Sequence, residues 1–558
     1  MSINVALKEI IADAAKKAVA DRGIASVPDI ILEPPKDKRL ADLSTNIAMQ
    51  ICKQEKGLKP FALAGSIADI AGSEIEKQKL SVYIQKVEVK PPGFINLHFS
   101  ERYLQDVVTE IAAAGERFGA SAIGKGKDVL VEFVSANPTG PLSVAHGRQA
   151  AVGDAIANIL DFCGFSVKRE YYLNDEGNQI LLLGKSIYAR YCELLGEEEL
   201  FPEDGYRGSY IYDIAKSLIE KQKGPLPDEA DKRLKKVCDF GVDYIMKMIR
   251  KDLSDFGVGF DNYFSQHKLS ESGKVEEALG ELKKKNLLYE KDGALWFKST
   301  EFGDDKDRVL KKSDGSYTYI TPDIAYHEDK FRRGFDWLID LWGPDHHGYI
   351  PRMKAASRAM GRDDKALSLL IVQLATISRD GVPVRMSTRE GEFITLREVL
   401  DDVGKDVARF FFQMRRKDSH LDFDLELAKK ESMENPVYYI QYAHARICGI
   451  LEYKKKQKMS LGASAGLKLL KAPEELNVLR LLREFPDIIE FSARSLEPHR
   501  LIQYLMELAS SFHSFYTQHR VVSDDKELTS ARLLLAESLK TVFSKSLALL
   551  GASSPEKM

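Results

Sequence analysis

The sequence predicts a Rossmann-like α/β domain set between an N-terminal α+β domain and a C-terminal all-helical domain. Three observations predict it. Residues 128–154, DVLVEFVSANPTGPLSVAHGRQAAVGD, read as a buried strand (Val129–Val134), a turn marked by Asn137-Pro138 and Gly140-Pro141, and a helix opening near Gly147. Strand, glycine-bearing turn and helix is how an open α/β sheet presents backbone N–H groups and a helix N-terminus to a phosphate. Further apolar strands, SVKREYYLND, WLIDLWG and LSLLIVQLATIS, follow with helical stretches between them up to about residue 400. From Asp401 the chain turns helical to its end.

A chain of 558 residues is too long for one core, so several domains are expected. Its 44% hydrophobic content is that of a soluble globular protein, and no apolar run reaches the roughly 20 residues that span a bilayer. The N-terminus, MSINVALKEIIADAAKKAVADRG, lacks the basic-then-apolar order of a secretory signal and reads as an amphipathic helix. Five cysteines are scattered without a CxxC pair, which fits a reducing cytoplasm and argues against structural zinc. The net charge of −3 gives no hint of nucleic acid, so an RNA partner needs local basic patches.

In chain order, residues 1–108 form the α+β domain: a helix over 2–22, a loop re-entering a helix near Ser44, and two strand-like pieces, LSVYIQKVEVK and GFINLHFS. A Gly/Ala-rich linker leads to the central domain, residues 125–400. Its second strand ends in Asn174-Asp175-Glu176-Gly177-Asn178-Gln179, polar residues where open α/β sheets bind ligands or where a helix is capped. A charged, mainly helical insertion is expected over about 180–288. Tyr319 and Asp323, four apart, share a face if helical. His346-His347 follow a strand, but no third ligand at metal-site spacing accompanies them. The helical domain spans 401–558.

SANPTGPLSVAHGR resembles the first signature of class I aminoacyl-tRNA synthetases, the HIGH motif, in its arginyl form. Ser143 replaces the first His and Ala145 the Gly, while His146 keeps the second His. VRMSTREGEFITL resembles the second signature, KMSK, with Arg385-Met386-Ser387-Thr388 in the motif positions and both lysines replaced. Asp406-Val407-Ala408-Arg409 stands at the DALR motif of the helical anticodon-binding domain. DLSTNIAMQ and GFINLHF resemble the family's extra N-terminal domain, which contacts the tRNA elbow, and LLGASSPEKM is a family-like ending. The resemblance therefore covers the whole chain and implies a class I arginine–tRNA ligase.

It implies that His146, Ser143, Arg385, Ser387 and Arg389 act in catalysis. ATP falls to Pro138, Gly140, Ser143, His146, Gly147, Met386 and Ser387. The arginine side chain and backbone fall to Glu132, Asn137, Tyr319 and Asp323, with Asp345 and His346 as further candidates. Tyr438, Tyr439, Tyr442 and Arg446 are candidates for stacking on anticodon bases, and Met558 for tRNA contact. Substrates are then ATP with Mg²⁺, L-arginine and tRNA(Arg), with no tightly bound cofactor, no membrane, and a cytoplasmic monomer.

The chemistry agrees with the residues. Neither adenylation nor transfer to tRNA needs a protein nucleophile; the protein must align reactants and neutralise charge growing on phosphate. An imidazole at a helix start suits that task. A guanidinium is gripped by carboxylates through paired, charge-assisted hydrogen bonds. Glu132 is a charge inside an apolar strand, costly unless it meets a cation, whether substrate or internal partner. The rivals are a silent paralogue that binds tRNA or a partner, and a ligase for another amino acid.

Overall fold

The computed structural model describes residues 3–22, 27–35, 37, 40–55, 57–222, 224–379, 382–383, 393–457 and 466–558. They fall into two compact units. One contains residues 1–118, 446–485 and 508–542, the other 119–445, 486–507 and 543–558. Residues 401–558 thus contribute to both.

The first unit opens with α1 (Ile3–Ala18), β1 (Leu43–Thr45), α2 (Ile47–Gln54), α3 (Pro60–Lys77), β2 (Ile84–Lys90), β3 (Phe94–Phe99) and α4 (Glu101–Ala114). The three strands form an antiparallel sheet in the order β1-β3-β2. Leu7, Ile11, Ile47, Ile67, Ile95 and Leu97 share its core. Ser44, expected to open a helix, lies in β1, where its Oγ donates to Asn96 at 2.7 Å; the helix starts at Ile47.

The second unit is built on a five-stranded parallel sheet. Its first strand and helix are β4 (Asp128–Glu132) and α5 (Val144–Phe162), followed by β5 (Ser166–Leu173) and the helices α6 (Asn178–Leu195), α7 (Tyr210–Lys221) and α8 (Ala230–Asp255). Then come β6 (Asn262–Ser265), α9 (Gln266–Glu271) and α10 (Lys274–Lys284). A small antiparallel sheet follows, β7 (Leu288–Lys291), β8 (Ala294–Phe297) and β9 (Arg308–Lys311), and then α11 (Ile320–Arg332), β10 (Trp337–Trp342), α12 (Ile350–Ala359) and β11 (Leu367–Ile371). The sheet order is β11-β10-β4-β5-β6, every pair parallel. The chain winds from β4 one way to β6 and then the other way through β10 to β11. The crevice between the C-terminal ends of β4 and β10 is therefore the switch point where such sheets bind ligands.

Two boundaries depart from the sequence reading. The insertion does not run unbroken to 288, because β6 returns to the sheet beside β5. LSLLIVQLATIS is two strands: β11 ends at Ile371, and β12 (Ala375–Arg379) pairs instead with β13 (Val382–Pro383) and β14 (Leu421–Asp424). The break has a physical cause in Arg148, a fully buried guanidinium on α5. It donates to the carbonyls of Gln373 (2.7 Å), Leu374 (3.1 Å), Ser419 (2.9 Å) and Arg416 (2.9 Å), gathering the chain where the strands part.

α13 (Leu396–Gln413) starts at a capping box of Thr395 and Glu398 and is followed by α14 (Leu425–Lys429). Arg409, from the DVAR segment, is fully buried; it donates to Asp154 of α5 (2.5 Å), Gly257 O (3.1 Å) and Leu550 O (3.1 Å). The remaining helices are α15 (Pro436–Lys456), α16 (Pro473–Ser495), α17 (His499–Gln518) and α18 (Lys526–Leu549).

α5 lies close against the residue that follows β4. A Cβ added at Gly153 would come within 2.4 Å of the Phe133 ring. Gly153→Ala is therefore expected to cost about 1–3 kcal/mol of stability. A thermal melt should show a lowered midpoint; an unchanged one would contradict this packing.

Candidate active site

The strand predicted over Val129–Val134 ends at Glu132, because Val134 and Ser135 take left-handed φ values of 70° and 39° and turn the chain out of the sheet. The loop that follows is pinned at both ends. Tyr171 Oη donates to Ala136 O and Tyr210 Oη to Thr139 O (2.7 and 2.8 Å), and a Cβ at Gly140 would meet Tyr210 at 3.0 Å. Asn137 Nδ2 donates to Gln179 Oε1 at 2.7 Å, so the first turn of α6 supports this loop. Pro138 is buried within it.

The helix begins at Val144, three residues earlier than expected, with Ser143 as its N-cap. Ser143 N–H donates to His146 Nδ1 at 3.1 Å, and Ser143 Oγ lies at the same distance from that atom. A ring nitrogen that accepts from a backbone N–H carries no proton, so the neutral imidazole holds its proton on Nε2. Burial pulls the His146 pKa down to about 4, against the opposing pull of Asp345. A helix N-terminus disfavours the imidazolium as well. His146 is therefore a neutral hydrogen-bond donor at physiological pH. Ser143, donating its N–H to Nδ1, fixes the orientation of the ring.

Gly147 is closely packed. Its N–H bonds Ser143 O at 3.1 Å, and a Cβ there would press on Leu396 at 2.8 Å and Phe412 at 3.1 Å. The glycine serves the packing of α5 on α13.

Glu132 is buried, and the cation it meets is internal: Lys330 Nζ lies 2.5 Å from its Oε2, while Ser135 Oγ donates to Oε1 at 2.9 Å. Asp340 and Glu170 stand beside it in register on β10 and β5. Lys330 also reaches Asp340 at 2.8 Å, and His327 Nε2 lies 2.7 Å from that carboxylate. Arg333 grips Glu170 with two bonds of 2.6 and 2.7 Å, and Tyr326 Oη donates to it. Sequence reasoning singled out Glu132 and missed Asp340 and Glu170. The signal was the same one, since WLIDLW and KREYYL also place a carboxylate inside an apolar strand.

Asp323 stands differently. It lies in the first turn of α11, accepts from Tyr349 Oη at 2.6 Å, and has no cation within ion-pair distance among the described residues. Burial raises its pKa, and the Tyr349 hydrogen bond opposes the rise. Tyr319, expected on the same face, is the N-cap of α11, already with helical φ and ψ of −56° and −33°, and is 85% exposed. The segment after β10 joins the two halves of the site. Asp345 acts on His146, Tyr349 bonds Asp323, and exposed His346 sits against the Trp342 and Tyr349 rings.

Arg385, Met386, Ser387, Thr388, Arg389 and Gly391 lie outside the described residues. On α15 the rings of Tyr438 and Tyr442 stack at 6.0 Å, Tyr439 is half-buried, and Arg446 lies 4.8 Å over the Tyr516 ring. Met558 is 53% exposed. Among the described residues no three His, Cys, Asp or Glu side chains are grouped as a metal site, and no helix is long and apolar enough to cross a membrane.

Three family models match in chain order: the arginyl tRNA synthetase N-terminal domain over residues 5–99, the catalytic domain of class I (R) tRNA synthetases over 107–430, and the DALR anticodon binding domain over 440–558. The arginine–tRNA ligase of Citrifermentans bemidjiense is 48% identical over 542 residues, 95% of each chain. The chain belongs to the arginyl-tRNA synthetase family. The arginine–tRNA ligase of Geobacillus kaustophilus is 47% identical over the full length of both proteins. Among solved structures, the arginyl-tRNA synthetase of Thermus thermophilus shares the fold at a TM-score of 0.77 and 21% identity, covering 99% of this chain and all of that one. The parallel sheet, the capped helix with its single motif imidazole and the carboxylates at the switch point thus sit in an arginyl-tRNA synthetase framework.

Proposed function

We infer that the protein ligates L-arginine to tRNA(Arg) with ATP. The arginine carboxylate attacks the α-phosphorus of ATP, diphosphate leaves, and a terminal ribose hydroxyl of tRNA then attacks the arginyl-adenylate and releases AMP. The observation that carries the specificity is Asp323, a desolvated carboxylate with no cation at ion-pair distance among the described residues. A substrate guanidinium supplies the missing charge. His146 donates through Nε2–H to the phosphate as negative charge grows on it. ATP enters as its magnesium complex, a substrate rather than a resident cofactor. Asn137, Tyr319 and His346 complete the arginine pocket in this reading, with Glu132 as its second carboxylate.

The N-terminal domain would meet the tRNA elbow and the helical C-terminal segment the anticodon, with Tyr438, Tyr439, Tyr442, Arg446 and Met558 as contacts. A cytoplasmic monomer belongs to the same reading, and the scatter of the five cysteines without a CxxC pair supports the reducing compartment. Release of diphosphate that requires arginine and tRNA together with ATP tests the activity; its absence would favour a chain that only binds RNA.

The altered second signature makes its own prediction. Thr388 stands where the family motif has its second lysine, and a hydroxyl brings no charge to the leaving diphosphate. Arg385 and Arg389 flank it, and arginine binds phosphate in a forked geometry. Arg385→Ala and Arg389→Ala are each expected to slow activation by roughly tenfold or more, and the double variant nearly to abolish it. Thr388→Lys should be tolerated. Charging that survives loss of both arginines would remove them from the mechanism.

A further inference from the structure

Three carboxylates on adjacent strands, Asp340, Glu132 and Glu170, lie side by side across the sheet. Glu170 is gripped by Arg333 through two hydrogen bonds, while the Arg333 Nε also lies 3.1 Å from Asp329. Asp340 and Glu132 share one wholly buried ammonium, Lys330, at 2.8 and 2.5 Å. The second oxygen of Glu132 accepts from Ser135 Oγ at 2.9 Å. Ser135 stands there because two consecutive residues take positive φ, a strained choice for the β-branched Val134. Its Oγ is fixed in turn by Tyr172 N–H at 3.1 Å. Both oxygens of Glu132 are thus held by the protein.

We propose that Lys330 and Ser135 are positioning residues for arginine selection, holding the Glu132 carboxylate in one orientation and in its anionic form. The proposal rests on the reading of Glu132 as a partner of the substrate guanidinium. The groups facing Glu132 are Lys330, His327 and Tyr326 from α11, Asp340 from β10, and Glu170 and Tyr172 from β5. Burial drives Glu132 toward protonation and Asp340 adds to it, while Lys330 is the chief opposing charge and His327 a lesser one. Without the ammonium, burial and the Asp340 charge would favour protonated Glu132, which presents a carboxylic acid to the guanidinium. A lysine that merely ties strands together would behave otherwise: its loss would weaken the fold and touch arginine and ATP alike.

The test compares three variants of the full chain by arginine- and tRNA-dependent diphosphate release from pH 6.5 to 9. Glu132→Gln examines the underlying reading. Lys330→Met should raise the KM for arginine by roughly tenfold or more at pH 7 and leave the KM for ATP within about twofold. Its arginine KM, relative to the unaltered protein, should recover as the pH rises and Glu132 ionises. Ser135→Gly keeps the positive φ and removes only the hydroxyl; it should raise the arginine KM about three- to tenfold, the worth of one hydrogen bond. It decides the matter if Lys330→Met does not fold. If Glu132→Gln impairs arginine use but neither other variant does, or if Lys330→Met raises both KM values without pH dependence, the positioning role is overturned. If Glu132→Gln leaves the arginine KM unchanged, the reading of Glu132 falls and takes the proposal with it.

Discussion

His146→Ala is expected to slow arginine adenylation by about 10²–10³-fold at saturating ATP and arginine, the usual loss for one transition-state donor. The first motif position is Ser143, so His146 is the motif's one remaining imidazole, and its proton sits on Nε2 because Nδ1 accepts from Ser143 N–H. The donor needs no protonation to work. With its pKa held at about 4, the His146 contribution should stay constant from pH 8 down to about 5. Its linkage to stability has a definite sign. Between the unfolded value near 6.5 and about 4, the unfolded chain takes up a proton that the native site refuses, so this group lowers stability as the pH falls through that window. The KM for arginine should change little in the variant. Activity within threefold of the unaltered protein would remove His146 from the chemistry.

Asp323→Asn is expected to cost about 2–4 kcal/mol in kcat/KM for arginine, with a small effect on the KM for ATP. The substitution preserves shape and the hydrogen bond from Tyr349, and it removes a charge that no described cation meets at ion-pair distance. It is a cleaner probe than Glu132→Gln. Neutralising Glu132 weakens the pairing of a buried Lys330, so that variant loses fold stability along with arginine recognition. An Asp323→Asn enzyme with unchanged arginine kinetics would show that the pocket lies elsewhere.

The α/β core and its switch point are legible in the sequence because the central strands β4, β10 and β11 are apolar runs and the turn after β4 is punctuated by Gly and Pro. The motif imidazole and Glu132 are legible for the same local reasons. What lies outside local pattern is the pairing. No spacing rule reveals that Lys330, on a helix nearly 200 residues later in the chain, meets Glu132 at 2.5 Å, or that β6 returns to the sheet after three helices. The four-residue spacing of Tyr319 and Asp323 is legible too, since helical backbone runs from the N-cap Tyr319 through Asp323, but the 85% exposure of Tyr319 is not. Gly147 reads as a phosphate-loop glycine by position; that a Cβ there would also press on Leu396 and Phe412, far later in the chain, lies outside local pattern.

The most direct measurement is the charging of total tRNA with each labelled amino acid in turn, in the presence of ATP and Mg²⁺. Incorporation of arginine alone, abolished or strongly reduced in Asp323→Asn, is the expected result. Incorporation of a different amino acid, or of none, would contradict an arginine–tRNA ligase built on this site.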